Sequence, residues 1–352
     1  MASGQTPSGR RQHGIGNLGV TPRYAPTVVY IAGASRSGST LLEEELSARL
    51  QAANLGEVRR LPDFYAEDRE RILDPESRLC CSCGVAVRDC SYWEEVSKRA
   101  CIELSSTTLS TGLTPLGRML FRVLCHTIRP YGVRQLARVI PALRREMEVA
   151  RRYFLIVDAA GSLAQAPAII DTSKQVHHFL LLRAYAPERV KFLALIRDGR
   201  AVSSSMVRGA RRELRRARIK QRSGKDVSDS KALIRSAIAA WRRTMLQMAI
   251  TKAFLPRRAK YSLRYEDFCV APERSIAEIA CHFSLPRRSD CSIQSRHSIG
   301  GSPSRSQSKV QTIRQDERWK NDWTREQEAC FGLLDRVINR WLGYRAPSNT
   351  DR

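Results

Sequence analysis

Apolar residues along the chain fall into two patterns, short unbroken runs and longer stretches with helical spacing. Val28-Val29-Tyr30-Ile31-Ala32 runs into Gly33, Ala168-Ile169-Ile170 into Asp171, and Val190–Ile196 into Arg197. Near-continuous apolar runs of this length are expected of strands in a parallel sheet covered on both faces. Lys260–Phe268 reads as a further strand and its exit. Between the runs, Leu41, Leu42, Leu46 and Leu50 recur at helical spacing, which predicts a helix ending near Ala53-Asn54. Leu55-Gly56-Glu57 follows as an edge strand or turn, and a helix through Leu182 follows Thr172-Ser173-Lys174. Ile234, Ile238, Trp241, Met245 and Met248 step by 4, 3, 4 and 3 residues, a stripe for core packing. The last helix starts at Thr324 with Gln327 completing a capping box, packs through Phe331, Leu334, Ile338 and Trp341, and stops at Gly343.

Strands alternating with helices at this rhythm predict an α/β fold, a doubly wound parallel sheet flanked by helices. Residues 113–160 read as a helical cap insertion divided by Pro115, Pro130 and Pro141. Residues 62–100 read as irregular and carry a cysteine loop at about 78–95, and 284–312, rich in Ser and Arg, as a long surface loop. The expected division is a tail over 1–26, one domain over 27–345 and a tail over 346–352.

The 60 Lys and Arg against 35 Asp and Glu give a net charge of +25, so a polyanionic partner is expected. Nine basic residues and one acid, Glu213, crowd into 208–225. This segment reads equally as a solvated helix or as a clamp for an acidic acceptor or for the nucleotide. It holds no aromatic residue, which argues against nucleic acid. No run of eighteen apolar residues occurs, so no membrane span is predicted, and the first 26 residues lack an apolar signal core. With ten cysteines and no such signal, a reducing, cytoplasmic setting is expected. Cys80, Cys81, Cys83 and Cys90 cluster without a histidine nearby in sequence, so a loop packed through Trp93 is preferred to a zinc knuckle.

The chemistry concentrates at Gly33-Ala34-Ser35-Arg36-Ser37-Gly38-Ser39-Thr40-Leu41. Two glycines flanking four residues between a strand and a helix have the spacing of a phosphate loop, in which backbone N–H groups and a helix N-terminus face one anion. Ser39 stands where a nucleoside triphosphatase has its lysine, and the cation is Arg36 instead. The segment SRSGSTLL resembles the 5′-phosphosulfate loop of sulfotransferases, which use 3′-phosphoadenosine 5′-phosphosulfate (PAPS). RDGRAVSSSM, Arg197 to Met206, resembles that family's 3′-phosphate segment, with Arg197 and Ser205 a little over two helical turns apart on one anion. IIDTSK resembles a segment that places Lys174 near the transferring group, and LRYEDF one that places Tyr265 beside the adenosine. HSIGGSPSR followed by DERWKNDWT resembles the late loop that closes over the nucleotide, with Arg305 as a phosphate contact, although Ser302 replaces the usual asparagine.

The resemblance covers roughly 27–60 and 165–345 and implies sulfuryl transfer to a hydroxyl or amine. Gly33, Arg36, Ser37, Gly38, Ser39, Thr40 and Leu41 would hold the 5′ end, Arg197 and Ser205 the 3′-phosphate, and Arg36 and Lys174 the charge of transfer. No metal is expected, since both a Walker lysine and an obvious aspartate for Mg²⁺ are missing. A base must take the acceptor's proton. Glu57 is favoured because Leu55-Gly56-Glu57 resembles the Gly-Glu segment that supplies the base in the tyrosylprotein branch; Glu43–Glu45, His177 and His178 are the other candidates. The acceptor stays open among a glycan, a lipid-linked sugar and a small alcohol or phenol. The rival readings are a P-loop kinase and a basic nucleic-acid-binding protein.

Overall fold

The structure is a computed structural model that describes residues 25–66, 81–128, 130–221, 230–289, 297–301 and 313–344, apart from the side chains of 213–221 and 230. Five strands, β1 (Thr27–Gly33), β2 (Ala52–Gly56), β3 (Ala168–Lys174), β4 (Val190–Ile196) and β5 (Lys260–Arg264), pair in the order β2-β3-β1-β4-β5. Every pairing is parallel. Successive side chains of a strand point to opposite faces. Val28, Tyr30 and Ala32 of β1 therefore enter one core, and Val29 and Ile31 the other. Both faces are covered, as the unbroken apolar runs require.

One face carries the helices Pro141–Ala164, Val176–Tyr185 and Ser230–Phe254; the other carries α1 (Ser39–Arg49) and Pro272–Phe283. The three prolines of the cap do not interrupt helices but open them, at Pro115–Thr127, Pro130–Val139 and Pro141–Ala164. The first helical turn has no use for the missing N–H, and the fixed φ suits it. The stripe from Ile234 to Met248 is buried throughout.

Several expectations are corrected. Helix α1 ends at Arg49, not near Ala53-Asn54, because Ala52–Gly56 pairs with β3 and draws the chain into the sheet. The stretch 62–100 is not all irregular: Leu61–Ala66 and Ser91–Ala100 are helical, and Trp93 of the second is fully buried. The last helix is broken at Phe331-Gly332 into Arg325–Cys330 and Leu333–Trp341. The Thr324–Gln327 capping box forms as expected, but the Asp335 carboxylate accepts from Gly332 N and starts a second helix, so Leu334 and Trp341 turn to solvent while Phe331 and Ile338 pack. In the supposed surface loop, Ser298 and Ile299 are buried, and Ile299 bridges Gly56 at the sheet edge. The fold also supplies the histidine that the cysteine loop lacks in sequence: His297 Nδ1 lies 3.4 Å from Cys90 Sγ.

Candidate active site

All five strands are parallel, so their carboxyl ends share one edge of the sheet, where ligands of open α/β folds bind. The residues that the sequence singled out leave those ends: Glu57 after β2, Lys174 at the end of β3, Arg36 after β1, Arg197 after β4 and Tyr265 after β5. The phosphate-like loop turns at Arg36 and Gly38, both at positive φ (70° and 94°). Gly38 tolerates no side chain, since a Cβ there would stand 2.4 Å from the Tyr265 ring. Gly38 also caps α1 without a side-chain hydrogen bond, which leaves the helix N-terminus open toward the loop.

Around this loop the side chains converge. Arg36 Nε donates to Ser205 Oγ at 3.1 Å, and Arg197 Nη1 donates to the Arg36 carbonyl at 3.0 Å. Arg197 is buried, lies over the Tyr265 ring at 4.2 Å from its centroid, and donates through Nη2 to the Asp316 carbonyl at 2.9 Å. The sequence treats the 5′ and 3′ segments as separate anion sites; here they are one connected cluster, joined through Arg36. One member was missed, Asp316, and a second, Arg208, lies in the basic segment. The Asp316 carboxylate lies 3.6 Å from Arg197 Nη2 and 3.8 Å from Arg208 Nη2. Hydrogen bonding from Arg318, opposed by burial and assisted by Arg197, holds Asp316 down at about 2. Arg208, the first residue of the basic segment, thus reaches the carboxylate that Arg197 also faces.

On the β2–β3 side, Lys174 Nζ donates to Glu57 Oε1 at 2.6 Å. Lys174 holds φ 67°, unusual for a residue with a side chain. Burial raises the Glu57 pKa, but the charges of Lys174 and Arg60 and the Gly301 N–H outweigh it and hold Glu57 below its ordinary value. Gly300 (φ 71°) leaves no room for a Cβ, which would fall 2.9 Å from Glu57 Cγ, and Gly301 N donates to Oε1 at 3.3 Å. The Gly300-Gly301 pair is therefore a cradle for Glu57. The loop is fixed from the other side by Arg59 N donating to Ser173 Oγ at 3.1 Å.

The sequence profile described as "Sulfotransferase family" matches residues 26–290, three quarters of the chain. The chain belongs to the sulfotransferase family. Among solved structures, the sulfotransferase domain of the Synechococcus PCC 7002 olefin synthase is similar over 92% of this chain and 97% of its own, at 17% identity and a TM-score of 0.50, a likeness of fold. The sulfotransferase domain of the curacin biosynthetic pathway matches over 92% and 100% at 14% identity and a TM-score of 0.45. Sulfotransferase STF1 of Mycobacterium tuberculosis matches over 76% and 69% at 15% identity and 0.40. No curated protein matches the sequence.

Within this sulfotransferase most of the other candidate residues are buried or already paired. His177 and His178 are buried in the core; His178 packs against Tyr30 and Tyr153, and burial with Arg59 nearby holds it well below its ordinary pKa, hence neutral. Glu43 is buried beneath the loop, and Glu45 pairs with Arg49. Thr40 and Leu41 lie in the first turn of α1 behind the loop, where Leu41 packs on the core. Behind Lys174, Asp171 accepts from Tyr153 Oη and Ser173 N, both at 2.6 Å. Burial, opposed by these bonds and reinforced by Glu57, pushes Asp171 up to about 6. Arg305, Ser302, Cys80 and the stretch 222–225 lie outside the described residues. Among the described residues no helix is long and apolar enough to cross a membrane.

Proposed function

We propose that this sulfotransferase moves a sulfuryl group from PAPS to an acceptor hydroxyl or amine and releases 3′-phosphoadenosine 5′-phosphate (PAP). The observation that carries the reading is the convergence of Arg36, Arg197 and Ser205 on the loop before α1. The residues fit a doubly anionic nucleotide: Arg197 Nε and Ser37 Oγ, on two residues of this cluster, are buried without hydrogen-bond partners among the described residues. Buried donors of this kind are costly unless something accepts from them.

In this reading the loop from Gly33 to Gly38, Ser39 and Thr40, with the α1 N-terminus, holds the 5′-phosphosulfate. Arg197 and Ser205 hold the 3′-phosphate, and Tyr265 lines the adenosine end. The acceptor oxygen attacks sulfur in line; the new S–O bond forms as the S–O bond to the 5′-phosphate breaks. The acceptor's proton goes to the Glu57 carboxylate, and the electron pair leaves on the phosphate. Arg36 and Lys174 stabilise the charge that develops there. Glu57, held low by its ion pair, is ionised but weakly basic. Donor binding that draws Lys174 toward the phosphosulfate relieves the ion pair and raises the basicity of Glu57 when it is needed.

Thermal shift with PAP, AMP and ATP–Mg²⁺ tests the donor, since only PAP carries both phosphates. The expected order is PAP above AMP and ATP–Mg²⁺. Equal shifts from AMP and PAP remove the 3′ assignment, and preference for ATP–Mg²⁺ favours a kinase. Labelled PAPS incubated with the protein and host extracts then identifies the acceptor class.

A further inference from the structure

We propose that Cys81, Cys83, Cys90 and His297 form a structural zinc site. Their four ligand atoms all lie within 4.8 Å of one another. Cys90 Sγ is 3.7 Å from both Cys81 Sγ and Cys83 Sγ. His297 Nδ1 is 3.4 Å from Cys90 Sγ and 3.7 Å from Cys81 Sγ. Tetrahedral corners at Zn–S of about 2.3 Å and Zn–N of about 2.0–2.1 Å are separated by about 3.8 Å between sulfurs and about 3.6 Å between sulfur and nitrogen. These four separations match those edges to within a few tenths of an ångström. Sulfur and imidazole donors select zinc over the hard cations, and four protein ligands leave no open coordination position, which makes the site structural. Binding releases the three thiol protons to solvent, and three thiolates with Zn²⁺ leave the site with a single negative charge.

The surrounding backbone is built for this geometry. Cys81 to Gly84 form a turn closed by Gly84 N donating to the Cys81 carbonyl and Cys81 N to the Val85 carbonyl, both at 2.9 Å, with Gly84 at φ 93°. The Cys83 N–H points to the Cys81 sulfur and the Trp93 N–H to the Cys90 sulfur. Cys90 caps the helix Ser91–Ala100, whose N-terminus favours a thiolate. Tyr92 stacks on His297 at 4.5 Å and 4°, fixing the imidazole plane. Ser82 N donates to the Ser298 carbonyl at 2.9 Å, and Ser298 N returns a bond to Ser82 Oγ at 3.0 Å.

The site joins a cysteine turn to a segment 207 residues later. That segment continues at once into Ile299, which accepts from Glu57 N at 2.9 Å and donates to the Leu55 carbonyl at 3.1 Å, and into the Gly300-Gly301 cradle. Zinc therefore pins the strip that positions Glu57; this last consequence, and only it, rests on the proposed sulfuryl transfer.

The full chain, purified under reducing conditions without chelator, is expected to carry about one zinc per chain by elemental analysis. Co²⁺ exchanged into it should give thiolate charge-transfer and tetrahedral d–d bands. Cys83→Ser and His297→Ala should each lower the metal content to near zero, while Cys101→Ser and Cys80→Ser leave it unchanged. A readout that needs no variant is alkylation: Cys83 is exposed like Cys101 and Cys281, yet should be protected until zinc is removed, when it reacts at their rate. Metal-free protein that gives no Co²⁺ bands, a Cys83–Cys90 disulfide in the intact mass, or zinc lost with Cys80→Ser and kept with His297→Ala overturns the proposal. None of these readouts uses enzymatic activity.

Discussion

The carboxyl edge of the sheet divides into two unlike halves. At β1, β4 and β5, Arg197 holds the Arg36 carbonyl, and Arg197 and Arg208 both approach the Asp316 carboxylate. At β2 and β3, Lys174 and Glu57 neutralise each other, and a second buried carboxyl, Asp171, lies behind them. Among the described residues both halves hold buried donors without acceptors, Arg197 Nε and Ser37 Oγ in the first and Arg59 Nε and Thr172 Oγ1 in the second, but only the second holds a close ion pair between its proposed reacting groups, Lys174 and Glu57. In the proposed sulfuryl transfer the arginines of the first half take the anionic donor, and the second half becomes reactive when its own ion pair is disturbed. On that proposal one half binds and the other responds to binding.

The largest effect should come from Glu57→Gln, which keeps the shape and removes the basicity. A fall in kcat of about 10²–10⁴-fold is expected, with PAP affinity unchanged. Single-turnover kinetics and calorimetry check the two parts. Near-normal turnover would end the division of labour between the halves.

The next effect concerns stability. Asp171 is fully buried and pushed up to about 6 from an ordinary 3.8. The folded chain then keeps its proton to higher pH than the unfolded chain does. Stability falls as pH rises from about 4 to about 6, by on the order of 3 kcal/mol, and levels off above that. Asp171→Asn should abolish that fall while retaining the contacts to Tyr153 and Ser173 in amide form. Urea midpoints measured across this range decide it; a slope unchanged by the substitution would mean that Asp171 is not its source.

Arg197→Ala should follow, weakening PAP by about 1.5–3 kcal/mol and AMP by a smaller amount, since Arg197 also holds the Arg36 carbonyl, as read by calorimetry. Comparable losses for both nucleotides would return Arg197 to a purely structural role, holding the Arg36 and Asp316 carbonyls together.

What could be read in the sequence follows the same division. Arg36, Gly38 and Arg197 each sit a few residues beyond an apolar run, so the run and the polar residues after it singled them out without tertiary information. Parallel pairing then made them neighbours. Tyr265 and Glu57 stand out only by resemblance to family segments, and the sequence pattern reads the start of the strand before Glu57 as the end of a helix; the partners of Glu57 are not legible. The Gly300-Gly301 cradle lies in a polar stretch that has the composition of a surface loop, and it is buried only because Ile299 adds to the sheet edge at Gly56. Asp316 and His297 likewise gain their neighbours through contacts spanning well over a hundred residues, which local spacing cannot report. The break at Gly332 was missed because the apolar stripe from Phe331 to Trp341 keeps helical spacing across it, while the side chain of Asp335 starts a new helix.

The smallest expected effect is the one that most sharpens the comparison. If Ser205 served the 3′-phosphate alone, Ser205→Ala would weaken PAP and leave AMP untouched. In the structure, however, Ser205 Oγ accepts from Arg36 Nε, and Arg36 belongs to the loop proposed for the 5′ end. Removing the hydroxyl therefore also takes one hydrogen bond from Arg36, whose backbone is held at positive φ and whose carbonyl is tied to Arg197. PAP should lose about 0.5–1.5 kcal/mol, the worth of an ordinary hydrogen bond, and AMP a measurable part of that. A double-mutant cycle between Ser205→Ala and Arg36→Ala, scored separately with each nucleotide, isolates the shared term. Non-additivity with both nucleotides is expected if the binding half works as one unit; strict additivity with AMP would split it into the two independent anion sites that its sequence motifs suggest.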